Sequence, residues 1–294
     1  MRPHYRPRRS MLYVPACVPR FLEKARNLTT DSLIFDLEDS VLPERKLEAR
    51  QNIRAALENG DYGCREVVVR VNGLGTAWGH DDLVAVATLD IDAVMFPKIE
   101  SRRDVIDALD ALDAAGGARL PIMVLVETPT GVLRAEEIAA ASERIACLVL
   151  GTSDLTNELH ARFTQERLPL LHSLSHCILA ARANDIAVID GIHLDLKDMP
   201  SFEYACRQSR DLGFDGKTLI HPNQIAYAND AFTPRADSVE RARRIIAALS
   251  EANRAGSGVA VVDGRLVENL HVEAAKRSLM IHDMIQRCWA GKTS

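Results

Sequence analysis

Short apolar runs of three to six residues, most rich in β-branched side chains, recur along the chain at 11–14, 33–37, 67–71, 93–96, 122–126, 145–150, 187–189 and 216–220. Each ends in a polar or charged cluster, and each is too short to be a helix. Continuous apolarity without alternation is the pattern of strands buried on both faces, as in a parallel sheet. Between them lie longer stretches with helical composition, at 43–57, 103–115, 131–142, 170–184, 201–212 and 223–232, and a further helix starts near Arg20. Eight strands alternating with helices at intervals of about 25 to 30 residues predict a (β/α)8 TIM barrel. Past Pro234 the rhythm changes to a helix over 238–254, a flexible stretch at 255–258, a short strand over 259–262, a turn at Asp263 and Gly264, and a last helix over 271–286. The expected organisation is a barrel domain over 1–234 with a C-terminal helical appendage over 235–294.

Composition narrows the class. A chain of 294 residues with 47% hydrophobic content buries one large core, and a net charge of −5 with dispersed basic residues argues against a general nucleic-acid binder. No apolar run approaches the roughly 18 to 20 residues of a membrane span and no signal-peptide pattern precedes the first strand, so no membrane partner and a cytoplasmic location are expected. The six cysteines include no Cys-x-x-Cys pair, and several fall in apolar segments, so neither structural zinc nor a disulfide framework is expected. The first nine residues carry four arginines and no acid, and composition alone reads them as a solvated arm.

Strand ends carry the candidate chemistry, because in a barrel they converge on one mouth. Glu127 ends the fifth strand and Asp154 lies just past the sixth. Two carboxylates with room for water and substrate oxygens suit Mg2+, with Mn2+ the other candidate. Asp36, Glu38 and Asp39 crowd the end of the second strand, and Arg70 ends the third. Arg20 and Lys24, four apart on one helix face, are either solvated or grip phosphates. Lys98 at the fourth strand end is a structural ion-pair partner or a Schiff-base lysine, and His221 is either hydrogen-bonded in place or catalytic. His172 and His176 lack the helix-borne glutamate and third ligand of a zincin. The turn over 72–75 lacks the third glycine of a dinucleotide fingerprint, and no Gly-x-Ser-x-Gly elbow occurs.

The segments RRSMLYVPACVPRFLEKA from Arg8, FDLEDSV from Phe35, VRVNG from Val69, FPKIES from Phe96, VETPTGV from Val126, LGTSDL from Leu150, DGIHLDL from Asp190, GKTLIHPNQI from Gly216 and VDGRLVENLHVEAAKR from Val262 resemble the citrate lyase beta-subunit and malyl-CoA lyase family. The resemblance covers nearly the whole chain in order. It implies Mg2+-dependent making or breaking of a carbon–carbon bond beside a CoA thioester, with a 2-oxo acid as the other partner. It also implies a homotrimer or a hexamer, in which the appendage of one subunit closes a neighbour's active site. Carried over residue by residue, it makes Glu127 and Asp154 the metal ligands and Arg70 the cation that stabilises an enolate oxygen. Asp36 and Glu38 orient Arg70 and the metal's waters, and Tyr13, Lys24, Gly191 and Ile192 fall where the family holds CoA or substrate, with Arg20 beside them. Glu268 stands where malyl-CoA lyases carry a general acid/base aspartate, and Ala16 and Val18 stand where some relatives have glycine and arginine. The expected reaction is retro-Claisen cleavage of malyl-CoA or citramalyl-CoA to acetyl-CoA and glyoxylate or pyruvate. The alternatives are a malyl-CoA thioesterase, the condensing direction, a citrate lyase beta subunit, a class II aldolase on free 2-keto acids and a non-enzymatic CoA-ester sensor.

Overall fold

A computed structural model describes residues 6–289. Eight strands, β1 Ser10–Pro15, β2 Ser32–Asp36, β3 Glu66–Arg70, β4 Ala93–Phe96, β5 Ile122–Val126, β6 Ile145–Leu150, β7 Ala187–Asp190 and β8 Gly216–Leu219, pair in parallel in sequence order, and β8 returns to β1 to close the barrel. Alternate residues along each strand face opposite sides of the barrel wall. Met11, Ile34, Val68, Met95, Met123, Leu125, Val149 and Ile189 fill the interior. The outward set, including Phe35, Val69, Val94, Val124 and Leu148, packs under the helices. Both faces are buried, which accounts for the continuous apolar runs.

The helices α1 Pro19–Ala25, α2 Lys46–Glu58, α4 Arg102–Ala114, α8 Leu171–Ala183, α9 Met199–Leu212 and α10 Ile225–Phe232 fall where the hydrophobic pattern predicts them. Three local features depart from it. α3, Gly79–Val86, was hidden by the preceding glycine-rich turn, and its buried Asp82 accepts hydrogen bonds from the Asn72 backbone at 2.8 Å and from Arg50 at 2.7 Å. The single helix expected over 131–142 is two short ones, α5 Pro129–Leu133 and α6 Ala135–Ala139, which meet at Arg134 in a non-helical conformation. α7, Thr152–Glu158, begins directly after β6 and carries Asp154 in its first turn.

A second compact unit begins at Thr233. It comprises α11 Ala236–Arg254, the antiparallel pair β9 Ala260–Val262 and β10 Arg265–Val267, and α12 Asn269–Trp289, around its own core of Ala242, Ile245, Val262, Val267 and Ala275. No helix among the described residues is long and apolar enough to cross a membrane. Cys17, Cys147, Cys177 and Cys206 are free and buried.

Residues 1–5 of the arginine-rich start lie outside the described residues, and the part that is described, from Arg6 on, is not simply solvated. Arg8 and Arg9 are buried at the end of the barrel where the strands begin. Arg8 forms a two-pronged bond to Glu66 at 2.8 and 2.6 Å, Ser32 donates to the same carboxylate at 2.6 Å, and Arg9 pairs with Asp31 at 2.7 Å. Burial opposes ionisation of Glu66, but the Arg8 charge outweighs it and holds the carboxyl below its ordinary pKa. Breaking one side of such a pair strands a buried charge. Glu66→Ala is therefore expected to lower unfolding stability by about 3 to 5 kcal/mol, read by urea denaturation at neutral pH, whereas a change below 1 kcal/mol would mean that Arg8 reaches solvent in the variant.

Candidate active site

The mouth of the barrel is built around a register. Asp36 and Arg70 are direct partners at the ends of β2 and β3. Arg70 Nε donates to Asp36 Oδ1 at 2.7 Å and Nη2 to Oδ2 at 2.8 Å, the planar fork that suits a carboxylate. Its other nitrogen, Nη1, lies 2.8 Å from Glu38 Oε2 and 3.5 Å from Asp39 Oδ2, and the guanidinium sits 4.7 Å from the centroid of the Tyr13 ring. Asp36 also accepts the backbone N–H groups of Glu38 at 2.9 Å and Ser40 at 3.1 Å, which fixes the loop after β2. Burial works against both charges, but each outweighs it for the other, so Arg70 stays charged and Asp36 is held below its ordinary pKa. Glu38 differs: burial pushes it up to about 7, with Asp39 and Asp36 adding to the rise and Arg70 opposing it.

Opposite this cluster stand Glu127 and Asp154. Thr128, still extended, caps α5 by accepting the Gly131 N–H, so Glu127 stands between the end of β5 and the helix cap. Its Oε1 accepts the backbone N–H of Lys98 at 2.9 Å. Burial, together with a hydrogen bond to Asp154 and the Asp154 and Glu38 charges, pushes Glu127 up to about 8. The carboxyl has this room because residue 151 is glycine: a Cβ there would lie 2.3 Å from Glu127 Cβ and 2.6 Å from its Oε2. Tyr13, Asp36, Arg70, Glu127, Asp154 and Ile192 all line one cavity of about 410 Å³.

Not every candidate is brought there. Gly191 adjoins the cavity through Ile192, and a side chain on it would collide with the Thr152 hydroxyl at 2.2 Å. Arg20 and Lys24 are exposed on α1, with Arg20 over the Phe21 ring, and neither lines the cavity. Glu268 belongs to the second unit, where it is exposed just before α12. His221 is engaged as a cap, its Nδ1 accepting the Asn223 N–H at 3.2 Å. His172 and His176 stack with ring centroids 6.0 Å apart, and among the described residues no three His, Cys, Asp or Glu side chains converge as a metal cluster.

One group escaped the sequence reading. Asp190 is fully buried at the end of β7 and accepts hydrogen bonds from Lys217 at 2.6 Å, from Arg167 at 2.9 and 2.7 Å and from Ser209 at 2.5 Å. Lys217 also donates to the Gly191 carbonyl, so this network holds the loop that carries Ile192. The available signal was a lysine inside an otherwise strand-like segment, which requires an acid nearby.

The match to the HpcH/HpaI aldolase/citrate lyase family covers residues 9–222, the whole span of these strand ends. The chain belongs to this family. A (3S)-malyl-CoA thioesterase of Cereibacter sphaeroides is 46% identical over 93% of this chain and 94% of its own length. An L-malyl-CoA/beta-methylmalyl-CoA lyase of the same species is 35% identical over 96% of this chain and 97% of that protein. The crystal structure of CitE from Mycobacterium tuberculosis in complex with magnesium, acetoacetate and coenzyme A aligns with a TM-score of 0.73 and 31% identity, over 95% of this chain and 98% of that one. Within the HpcH/HpaI family frame, the barrel and the grouped mouth residues are the features this chain brings to the comparison.

The raised pKa of Glu127 has a measurable consequence. The folded protein binds this proton more tightly than the unfolded chain does, so stability falls as pH rises from the ordinary 4.5 to about 8. Glu127→Gln removes the titration while its amide oxygen still accepts from Lys98. Without metal, the variant is expected to be more stable than the parent above pH 8, by roughly 1 to 4 kcal/mol, and to lose that advantage below pH 4.5. Urea melts in chelator at the two ends of this range check it, and a difference independent of pH would contradict the burial of this carboxyl.

Proposed function

We propose that this protein is a metal-dependent enzyme acting on the CoA thioester of a malate-like hydroxy acid, and that its principal reaction is hydrolysis of the thioester. The reading rests on one observation: Glu127 and Asp154 face the same cavity as Arg70 held by Asp36. The donor set fits a divalent cation. Two carboxylates lining one cavity bring negative charge that the neighbouring Arg70, committed to Asp36 and Glu38, does not neutralise. Glu127 and Asp154 would hold Mg2+, which supplies positive charge to the oxygens of the hydroxy-acid end.

The remaining steps belong to the chain's own residues. In hydrolysis, water attacks the thioester carbonyl carbon, negative charge gathers on its oxygen, and the carbon–sulfur bond then breaks to release CoA, whose sulfur takes a proton. In carbon–carbon cleavage, the hydroxyl loses its proton, the bond breaks, and the electron pair passes to the same oxygen as an enolate before the carbon is protonated. Both routes need a fixed cation beside that oxygen. Arg70, rigid in its carboxylate fork, serves as that cation, a role worth about 3 to 4 kcal/mol. Tyr13 and the leucine and isoleucine side chains of the cavity limit water around it.

Hydrolysis is placed ahead of carbon–carbon cleavage, reversing the order expected from the sequence, because the thioesterase relative is 46% identical where the lyase relative is 35% identical. Lyase chemistry is kept as the second reading because Arg70, Glu127 and Asp154 serve it equally well. Incubating the protein with Mg2+ and malyl-CoA is expected to yield malate and CoA in excess of glyoxylate and acetyl-CoA by mass spectrometry; a predominance of the latter pair makes the lyase reading correct, and no turnover of any malyl- or citramalyl-CoA overturns both.

We further propose that Glu268 acts from a neighbouring subunit in a trimer or hexamer, across the appendage. Mixed oligomers of Glu268→Ala and Arg70→Ala subunits are then expected to recover a fraction of the activity that each variant lacks alone. Verified mixed assemblies without recovery would remove the shared site.

A further inference from the structure

Lysine is an unfavourable first residue for a helix, because the aligned amide dipoles put positive charge at that end. Lys46 nevertheless opens α2, and it is only 5% exposed. Its ammonium donates to the Leu37 carbonyl at 2.7 Å, to the Glu38 carbonyl at 2.9 Å and to Asn72 Oδ1 at 2.8 Å, which uses all three of its protons. None of these oxygens carries a charge. Nζ also stands over the Trp78 ring, 5.1 Å from its centroid. A cation buried on neutral acceptors, at the wrong end of a helix, points to the loop it holds as the reason for its presence.

That loop carries Glu38. Arg70 is gripped from two sides, by Asp36, whose position the pairing of β2 with β3 fixes, and by Glu38, which lies past the last paired residue of β2. Lys46 supplies what the register does not. The Glu38 N–H is taken by Asp36 Oδ1 at 2.9 Å, and the Glu38 carbonyl by Lys46 and by the Val41 N–H at 3.0 Å. The Leu37 carbonyl accepts from Lys46 and from Asn72 Nδ2 at 2.9 Å. With its backbone bonded on both sides, Glu38 presents its carboxylate to Arg70 Nη1 at 2.8 Å. We propose that Lys46 is a positioning residue for Arg70, acting through Glu38. This rests on the proposed role of Arg70 in the reaction and adds to it the group that sets the second side of the grip. Val41 and Asn72 keep their own bonds to the two carbonyls when Lys46 is replaced, so a substitution loosens the loop without releasing it.

A double-mutant cycle on malyl-CoA turnover with Mg2+ tests this in wild type, Lys46→Met, Glu38→Ala and the doubly substituted protein. Lys46→Met is expected to lower kcat roughly 10- to 100-fold, the effect of a small displacement of a group that acts on the reacting atoms. KM is expected to stay within about threefold, since Arg70 meets charge that develops only during the reaction. In the Glu38→Ala background the same substitution is expected to lower kcat by less than about twofold, because the path to Arg70 is already cut. Phenylglyoxal labelling of Arg70, read by peptide mass spectrometry, follows the same cycle without turnover: faster in Lys46→Met than in wild type, and no faster in the double variant than in Glu38→Ala. Effects that multiply in either readout overturn the inference, as does wild-type kcat in Lys46→Met. Lys46→Gln repeats the comparison with a polar side chain, and unfolding of both Lys46 variants would make the residue a structural one and likewise overturn the inference. Failure of the wild type to turn over malyl-CoA overturns the proposed reaction alone, and the labelling then decides the role of Lys46.

Discussion

Everything at the mouth of this barrel depends on how its carboxylates are kept apart from one another's charge. The pairing of β2 with β3 sets Asp36 opposite Arg70, and the resulting fork holds the arginine where Glu38 and Asp39 also lean on it. Among the described residues, Glu127 and Asp154 have no ion pair of their own. Burial, and then the Asp154 and Glu38 charges, push Glu127 upward, and a proton relieves the imbalance. On the proposed reading of the site a divalent metal would relieve it instead by displacing that proton, which would couple loading to pH.

The two ends of the barrel use ion pairs for different purposes. Where the strands begin, Arg8–Glu66 and Arg9–Asp31 are closed, buried pairs with matched charge. Where the strands end, acids outnumber bases and the cavity opens to solvent. Stability is concentrated at one end and reactivity at the other, so the mouth can carry unbalanced charge without jeopardising the closure of the sheet. The Asp190–Lys217–Arg167 group lies between these regimes: buried like the first but with two cations on one carboxylate, it holds in place the Gly191–Ile192 loop that belongs to the second.

The barrel was legible because parallel strands buried on both faces leave uninterrupted apolar runs, and all eight were recovered with shifts of a residue or so at their ends. The placement of Glu127, Asp36 and Arg70 was legible for a related reason, since a charged residue at or just past the end of such a run has little choice but the rim. What escaped depends on contacts between distant segments. Asp82 shows why α3 was missed, because its value lies in capping Asn72 and binding Arg50, which no local pattern displays. Lys217 could be seen as anomalous within a strand, but not that Asp190 and Arg167 would meet it. The burial of Arg8 and Arg9 was invisible to composition, which treats a run of arginines as a surface.

Gly151 has an evolutionary corollary. With Glu127 in place, the space a Cβ would fill at position 151 is already occupied by the glutamate side chain. The constraint is one-sided: the 2.3 Å approach is to the Cβ of Glu127, which every residue but glycine keeps, so a smaller side chain at 127 relieves only the carboxylate contact. Position 151 therefore stays glycine in a lineage whatever side chain replaces the glutamate, and the two strand ends diverge with one of them held fixed.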